Sequence, residues 1–241
     1  ATESCGPRAD PEGPARREPL QYILGTQEFC GLEFSVSPAV LIPRPETELL
    51  VSEVVRQVRN EHAPIVVDVG TGSGCVAVTV ATILGRATVV AIDCSAEALR
   101  VATDNAARHG VAHMIEWCEG DLLAPLAGRG WDGRVAVIVS NPPYIADAEL
   151  AGLQPEVRDF EPKHALVSGP GGTEYHRRLL CEARRYLAPG GVLMMEMGQG
   201  QAEAVRALAH EAGGYAPVTF VEDAAGIDRV VVAQRLGEQG H

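Results

Sequence analysis

The chain reads as an α/β protein whose main body is a seven-stranded Rossmann-like sheet, preceded by a β-hairpin. Three observations predict it. Short β-branched runs alternate with segments of helical period from residue 65 onward. A glycine-rich turn, Gly70-Thr71-Gly72-Ser73-Gly74, separates the first of those runs from the helical segment that follows. Polar residues able to hold a ligand, Asp93, Asp121 and Asn141, stand where successive apolar runs end. Strands alternating with helices imply a mostly parallel sheet covered on both faces, with the ligand at the carboxyl ends of the strands.

Residues 1–18 contain three prolines, two glycines and mixed charges without apolar periodicity, which predicts a disordered lead-in. Residues 19–45 form a β-hairpin and linker, with 21–24 expected to pair with 32–36 across 25–31. The main domain, 46–241, opens with an amphipathic helix at 47–59 and a first core strand at 65–69. Helix 75–84, strand 88–93, helix 96–109 and strand 115–119 follow. Strand 134–139, helix 174–187, strand 191–197 and helix 199–212 come next, and then two closing strands, 218–222 and 229–233. The last strand is expected to run antiparallel to the others. No internal repeat or low-complexity tract interrupts the pattern.

The most informative stretch is Asn141-Pro142-Pro143-Tyr144, at the end of an apolar run. Each proline fixes its own φ and pushes the preceding residue toward extended geometry, so the turn is rigid. The Asn141 side-chain oxygen and the Pro142 carbonyl can each accept one N–H of an amide or exocyclic amine. Tyr144 offers a flat face to pack against that group. Such a turn can also be purely structural, so its company matters.

That company is the glycine loop. Alternating glycines let backbone approach a ligand closely, and the following helix points free N–H groups back at the loop, although such turns also serve simple packing. Asp93 follows roughly 20 residues on, where nucleotide-binding folds place an acid on ribose hydroxyls. The loop has the form Asp-x-Gly-x-Gly-x-Gly rather than the Gly-x-Gly-x-x-Gly suited to pyrophosphate, and Asp68 puts negative charge where a diphosphate wants none. A carboxylate there suits the cationic methionine end of S-adenosylmethionine. Gly120-Asp121-Leu122 supplies another acid at a strand end, able to accept from the adenine amine while backbone N–H groups meet the ring nitrogens.

With these motifs stands Leu41-Ile42-Pro43-Arg44-Pro45-Glu46-Thr47-Glu48, together with Phe160-Glu161-Pro162, Pro189-Gly190-Gly191 and Asp228-Arg229-Val230-Val231. From about residue 20 to 232 the chain resembles the HemK/PrmC family of protein-glutamine N-methyltransferases. The resemblance implies a class I S-adenosylmethionine-dependent methyltransferase fold and methylation of the glutamine amide in the Gly-Gly-Gln motif of peptide-chain release factors. It further implies that Asn141, Pro142 and Tyr144 carry the chemistry, and that Pro143, Arg44 and Thr47 help bind substrate, the last two by closing over the pocket. Thr47-Glu48 also fits a plain helix start, and Glu196 fits either a pocket wall or a sheet cap. Members of this family usually begin with a helical domain that helps seize the release factor, for which the first 18 residues leave almost no room.

Bulk properties fit a cytoplasmic enzyme, with a mitochondrial address left open. The composition, 46% hydrophobic over 241 residues, suffices for one full core, and no apolar run is long enough to span a membrane. Six cysteines without a Cys-x-x-Cys pair read as reduced thiols, and no metal site is expected. Net charge is −12 and Lys163 is the only lysine, so no basic stripe marks a nucleic-acid enzyme. Methylation of the exocyclic amine of adenine, or of another protein or small-molecule amide, is the alternative that the same hook allows. A non-catalytic cofactor-binding scaffold is the third class.

Overall fold

A computed structural model describes residues 17–237. The expected lead-in therefore lies almost wholly outside the described residues, at whose edge Arg17 pairs with Glu156 at 2.9 Å. The first described helix corrects the expected hairpin. Residues Leu20–Leu24 form a short helix, α1, and the hairpin is Thr26–Phe29 (β1) with Leu32–Ser35 (β2). The Pro19 carbonyl accepts from the N–H groups of Tyr22 and Ile23, and Gly25, at φ 76°, closes the helix by donating to Gln21. Cys30 and Gly31 both have positive φ, 51° and 75°, and make a two-residue turn whose twist matches the paired strands. A four-residue apolar run is too short to separate a helical turn from a strand.

The remaining elements lie close to their expected bounds. They are α2 (Glu48–Val58), β3 (Ile65–Val69), α3 (Cys75–Leu84), β4 (Thr88–Asp93), α4 (Ala96–Arg108), β5 (Ile115–Glu119) and β6 (Val135–Ser140). Beyond a long connection lie the short helix α5 (Pro155–Phe160), α6 (Glu174–Tyr186), β7 (Leu187–Glu196), α7 (Ala202–Ala212), β8 (Thr219–Glu222) and β9 (Asp228–Gln234). Strand β7 starts earlier than expected because it continues directly from α6, and α7 starts later because Gly200, at φ 83°, keeps the preceding loop open.

The strand order of the seven-stranded sheet is β5-β4-β3-β6-β7-β9-β8. Strand β9 runs antiparallel to both of its neighbours, as expected. The chain moves outward from β3 to β5 and then returns to place β6 on the other side of β3. That reversal opens a crevice at the carboxyl ends of β3 and β6. Register brings the right residues to it: Asp68 pairs with Ala91 on one side and Val139 on the other, so Asp93 and Asn141 end at the same edge.

Alternation along the strands divides the core. Val66, Ala91, Val137 and Met194 pack with Leu50, Val54 and Val80 on one face. Val67, Ile92, Ile138 and Met195 pack with Leu179, Leu180 and Val205 on the other. Burying side chains of this size contributes about 1.5–3 kcal/mol each, which fixes the strand ends that carry the polar groups. Among the described residues no helix is long and apolar enough to cross a membrane.

Candidate active site

The crevice is lined by Arg44, Thr47, Asp68, Gly70, Thr71, Gly72, Ser73, Asp93, Asp121, Leu122, Asn141, Pro142 and Pro143, so most residues singled out from sequence converge on one cleft. Two stand behind its wall. Gly74 has φ 80° and is a packing residue, since a Cβ there would lie 3.0 Å from that of Ala102. Tyr144 turns its hydroxyl toward Glu196 at 3.4 Å, and its ring lies against Gly198, where an added Cβ would approach it to 3.2 Å.

The glycine loop is held from beneath. The N–H groups of Gly70 and Thr71 donate to the Ile92 carbonyl, at 2.8 and 3.0 Å. Gly72 donates to Asp93 Oδ2 at 2.9 Å, and Ser95 donates to Asp93 Oδ1 at the same distance. Asp93 is 7% exposed and each of its oxygens keeps acceptor capacity for a ligand hydroxyl. A Cβ at Gly70 or Gly72 would meet no protein atom within 4 Å, so here the glycines leave open space rather than tight packing. This arrangement fits an adenosine group.

Asp68 is buried under the loop, with Oδ2 accepting from Thr71 Oγ1 at 2.6 Å and from the Ala77 N–H at 3.2 Å. Burial pushes its carboxyl up to about 7 against the pull of those two bonds, with the nearby Asp93 charge adding to the rise. The anion is therefore costly in the free protein, and a cation placed beside it offsets that cost. Asp121 is less committed than its position suggested. Its carboxylate is taken up by Arg178, at 2.6 and 3.2 Å, on the exposed rim of the cleft. Leu122 adopts φ 48°, a left-handed turn that sharpens the end of this segment.

The hook is tied into a buried relay. Asn141 Nδ2 donates to Thr47 Oγ1 at 3.0 Å, and Thr47 Oγ1 donates to Glu196 Oε2 at 2.6 Å. Thr47 and Glu196 are each 2% exposed. Burial raises the Glu196 carboxyl to about 7, opposed by the Thr47 bond, raised further by Glu46, and lowered by Tyr144 and Arg229. Its backbone carbonyl accepts from His176 Nε2 at 2.8 Å, which fixes the strand end. Neither Asn141 Oδ1 nor the Pro142 carbonyl accepts a hydrogen bond from a described residue. Both acceptors are thus left for a ligand.

Arg44 forms an ion pair with the buried Glu161, which also accepts from the Ile42 N–H at 3.4 Å. This clasp joins the two segments whose Pro43 and Pro162 face the cleft. Asn105, not singled out from sequence, is wholly buried and links three parts of the fold. Its Oδ1 accepts from Ser35 N–H at 2.7 Å, and its Nδ2 donates to the carbonyls of Ser35 and Ser73 at 3.0 and 2.9 Å. Nothing in a helical Asn announces such a contact. Glu161, by contrast, sits in a Phe-Glu-Pro motif that already marked it.

Residues 45–154 match the family model of the methyltransferase small domain. Among solved structures, the hMettl16 catalytic domain in complex with MAT2A 3'UTR hairpin 1 superposes with a TM-score of 0.70 at 15% identity, over 91% of this chain and 79% of that one. That likeness speaks for the fold alone. The release factor glutamine methyltransferase of Geobacter sulfurreducens is 50% identical over 217 residues, 90% of this chain and 73% of the relative. The Moorella thermoacetica protein of the same name is 45% identical over 220 residues, 91% of this chain and 76% of the relative. With its glycine loop, Asp93 and the Asn141-Pro142-Pro143 turn gathered in one cleft, the chain belongs to the release factor glutamine methyltransferase family.

Proposed function

We propose that this protein methylates the side-chain amide nitrogen of the glutamine in the Gly-Gly-Gln motif of a peptide-chain release factor, with S-adenosylmethionine as methyl donor. The observation that carries the reading is the free pair of acceptors at Asn141 Oδ1 and the Pro142 carbonyl, beside a cleft suited to adenosine. When bound, the cofactor supplies an electrophilic methyl group on a sulfonium.

An amide nitrogen is a poor nucleophile because its lone pair is shared with the carbonyl. Asn141 and Pro142 would each take one amide hydrogen and stabilise the positive charge that grows on nitrogen as the N–C bond forms and the S–C bond breaks. The surplus proton then leaves the nitrogen for solvent, and no general base is required. Pro143 and Arg44 shape the entrance, and Tyr144 supports the turn from behind. Asp93 accepts from the ribose hydroxyls, while Asp68 and the loop 70–74 face the methionine end. Asp121 and Leu122 border the adenine.

The same reading places the work in the cytoplasm, where translation termination occurs, and expects no direct nucleic-acid binding. Arginines 177, 178 and 185 are paired with Glu211, Asp121 and Asp132, which leaves little free positive charge on those elements.

The test is incubation of the protein with a class I release factor and labelled S-adenosylmethionine, followed by peptide mass spectrometry. One methyl group on the Gly-Gly-Gln glutamine is expected. Label on oligonucleotides with none on the release factor would favour the adenine reading instead.

A further inference from the structure

We infer that Thr47 and Glu196 are positioning residues that decide which way the Asn141 side-chain amide faces. The inference rests on the amide-methylation reading and adds to it two residues that stand 149 positions apart in the chain.

An Asn side chain is nearly symmetric in shape but opposite in polarity at its two ends. If it turned over, the cleft would see an NH2 group, which repels the amine or amide it should hold. Something must choose. Thr47 has one hydroxyl proton, and the 2.6 Å contact to Glu196 Oε2 commits it there. The Thr47 oxygen is left with lone pairs only, so its contact with Asn141 has to be made by Nδ2, at 3.0 Å. Asn141 Oδ1 then faces away from Thr47 and is the free acceptor.

Glu196 never touches Asn141, yet it sets this polarity through Thr47, because the ionised carboxylate can only accept the Thr47 proton. Its second oxygen takes the Tyr144 hydroxyl at 3.4 Å, and so the fourth residue of the turn reports to the same carboxyl. Both members of the relay are buried, where an unmade hydrogen bond is costly, so one arrangement dominates over the alternative. Thr47 also stands at the junction of a 3-10 turn and α2, which gives the hydroxyl a fixed origin. Thr47 thereby acts on the reaction through Asn141.

The experiment compares wild type with Thr47→Val, Thr47→Ser and Glu196→Leu. For Thr47→Val we expect kcat to fall by about 10- to 100-fold, the size of effect that misplacing a reacting group produces, in a protein that still folds and binds cofactor with affinity near wild type. Thr47→Ser keeps the hydroxyl and should restore most of the rate. Glu196→Leu leaves Thr47 intact but frees its proton for Asn141 Oδ1, and should be slow as well. A folded Thr47→Val enzyme with wild-type kcat, or a folded Thr47→Ser enzyme as slow as Thr47→Val, would overturn the inference.

A second readout needs no turnover. In the nuclear Overhauser spectrum of the wild-type protein, the Asn141 NH2 protons should lie close to the Thr47 methyl group, and this signal should be lost in Glu196→Leu. Its absence from wild type would sink the relay even if glutamine is methylated. Its presence in a protein that leaves glutamine untouched would instead sink the proposed substrate.

Discussion

At the scale of single residues, the site divides into groups that meet the ligand and groups that hold them. We assign Asp93 to the first kind. Its two oxygens are steadied by the Gly72 and Ser95 N–H groups, which keeps the carboxylate aimed. Replacing it with Ala removes charged acceptors for ribose, so S-adenosylmethionine binding should weaken by about 1.5–3 kcal/mol per charged hydrogen bond lost. Isothermal calorimetry checks this, and an unchanged dissociation constant would remove Asp93 from the cofactor site. Most residues that line the cleft were legible in the sequence because each belongs to a short motif whose chemistry is local. Thr47 and Glu196 were singled out as well, but not the bond between them: they are 149 positions apart, and no local pattern joins them. A strand-end acid likewise says nothing of the Arg178 that pairs with Asp121.

At the scale of elements, the hairpin is fastened to the cofactor loop through one side chain. Asn105 on α4 joins β2 to Ser73 by three hydrogen bonds, all in the interior. Asn105→Ala leaves the Ser35 and Ser73 backbone groups without these partners and should cost about 2–4 kcal/mol of stability. Chemical denaturation measures that loss, and hydrogen exchange should show it concentrated in β2 and the loop 70–74. Uniform exchange across the sheet, with no excess at those two places, would contradict the link. The parallel strands were readable because strands buried on both faces are continuous apolar runs. The first hairpin strand was misread because Leu20–Leu24 carries apolar residues without enough length to display a period, and because the turn lies at Cys30-Gly31, where Cys gives no warning of a left-handed φ.

At the scale of the whole molecule, two carboxyl groups are buried to build the cleft, and this has a consequence for stability. Burial raises Asp68 and Glu196 to about 7 from ordinary values of 3.8 and 4.5. The folded protein therefore holds these protons more tightly than the unfolded chain does. Their contribution to stability is full below the unfolded values and is lost as pH rises through about 7. The stability of wild type relative to an Asp68→Asn, Glu196→Gln double variant should fall between pH 4.5 and 7.5, on the order of the window those values define. Urea midpoints measured across that range test it, and parallel curves would contradict it. The same topology that buries Asp68 gathers Asp93 and Asn141 at one sheet edge. On the proposed reading this edge presents Asn141 Oδ1 and the Pro142 carbonyl to a primary amide. The most direct test is single-turnover methylation of release factor by Asn141→Ala at saturating cofactor, with cofactor affinity measured separately. A rate loss of about 10²- to 10³-fold with affinity largely retained is predicted, because one of two preorganised acceptors is gone. A folded variant that methylates glutamine at the wild-type rate would show that the turn is structural and that the chemistry lies elsewhere.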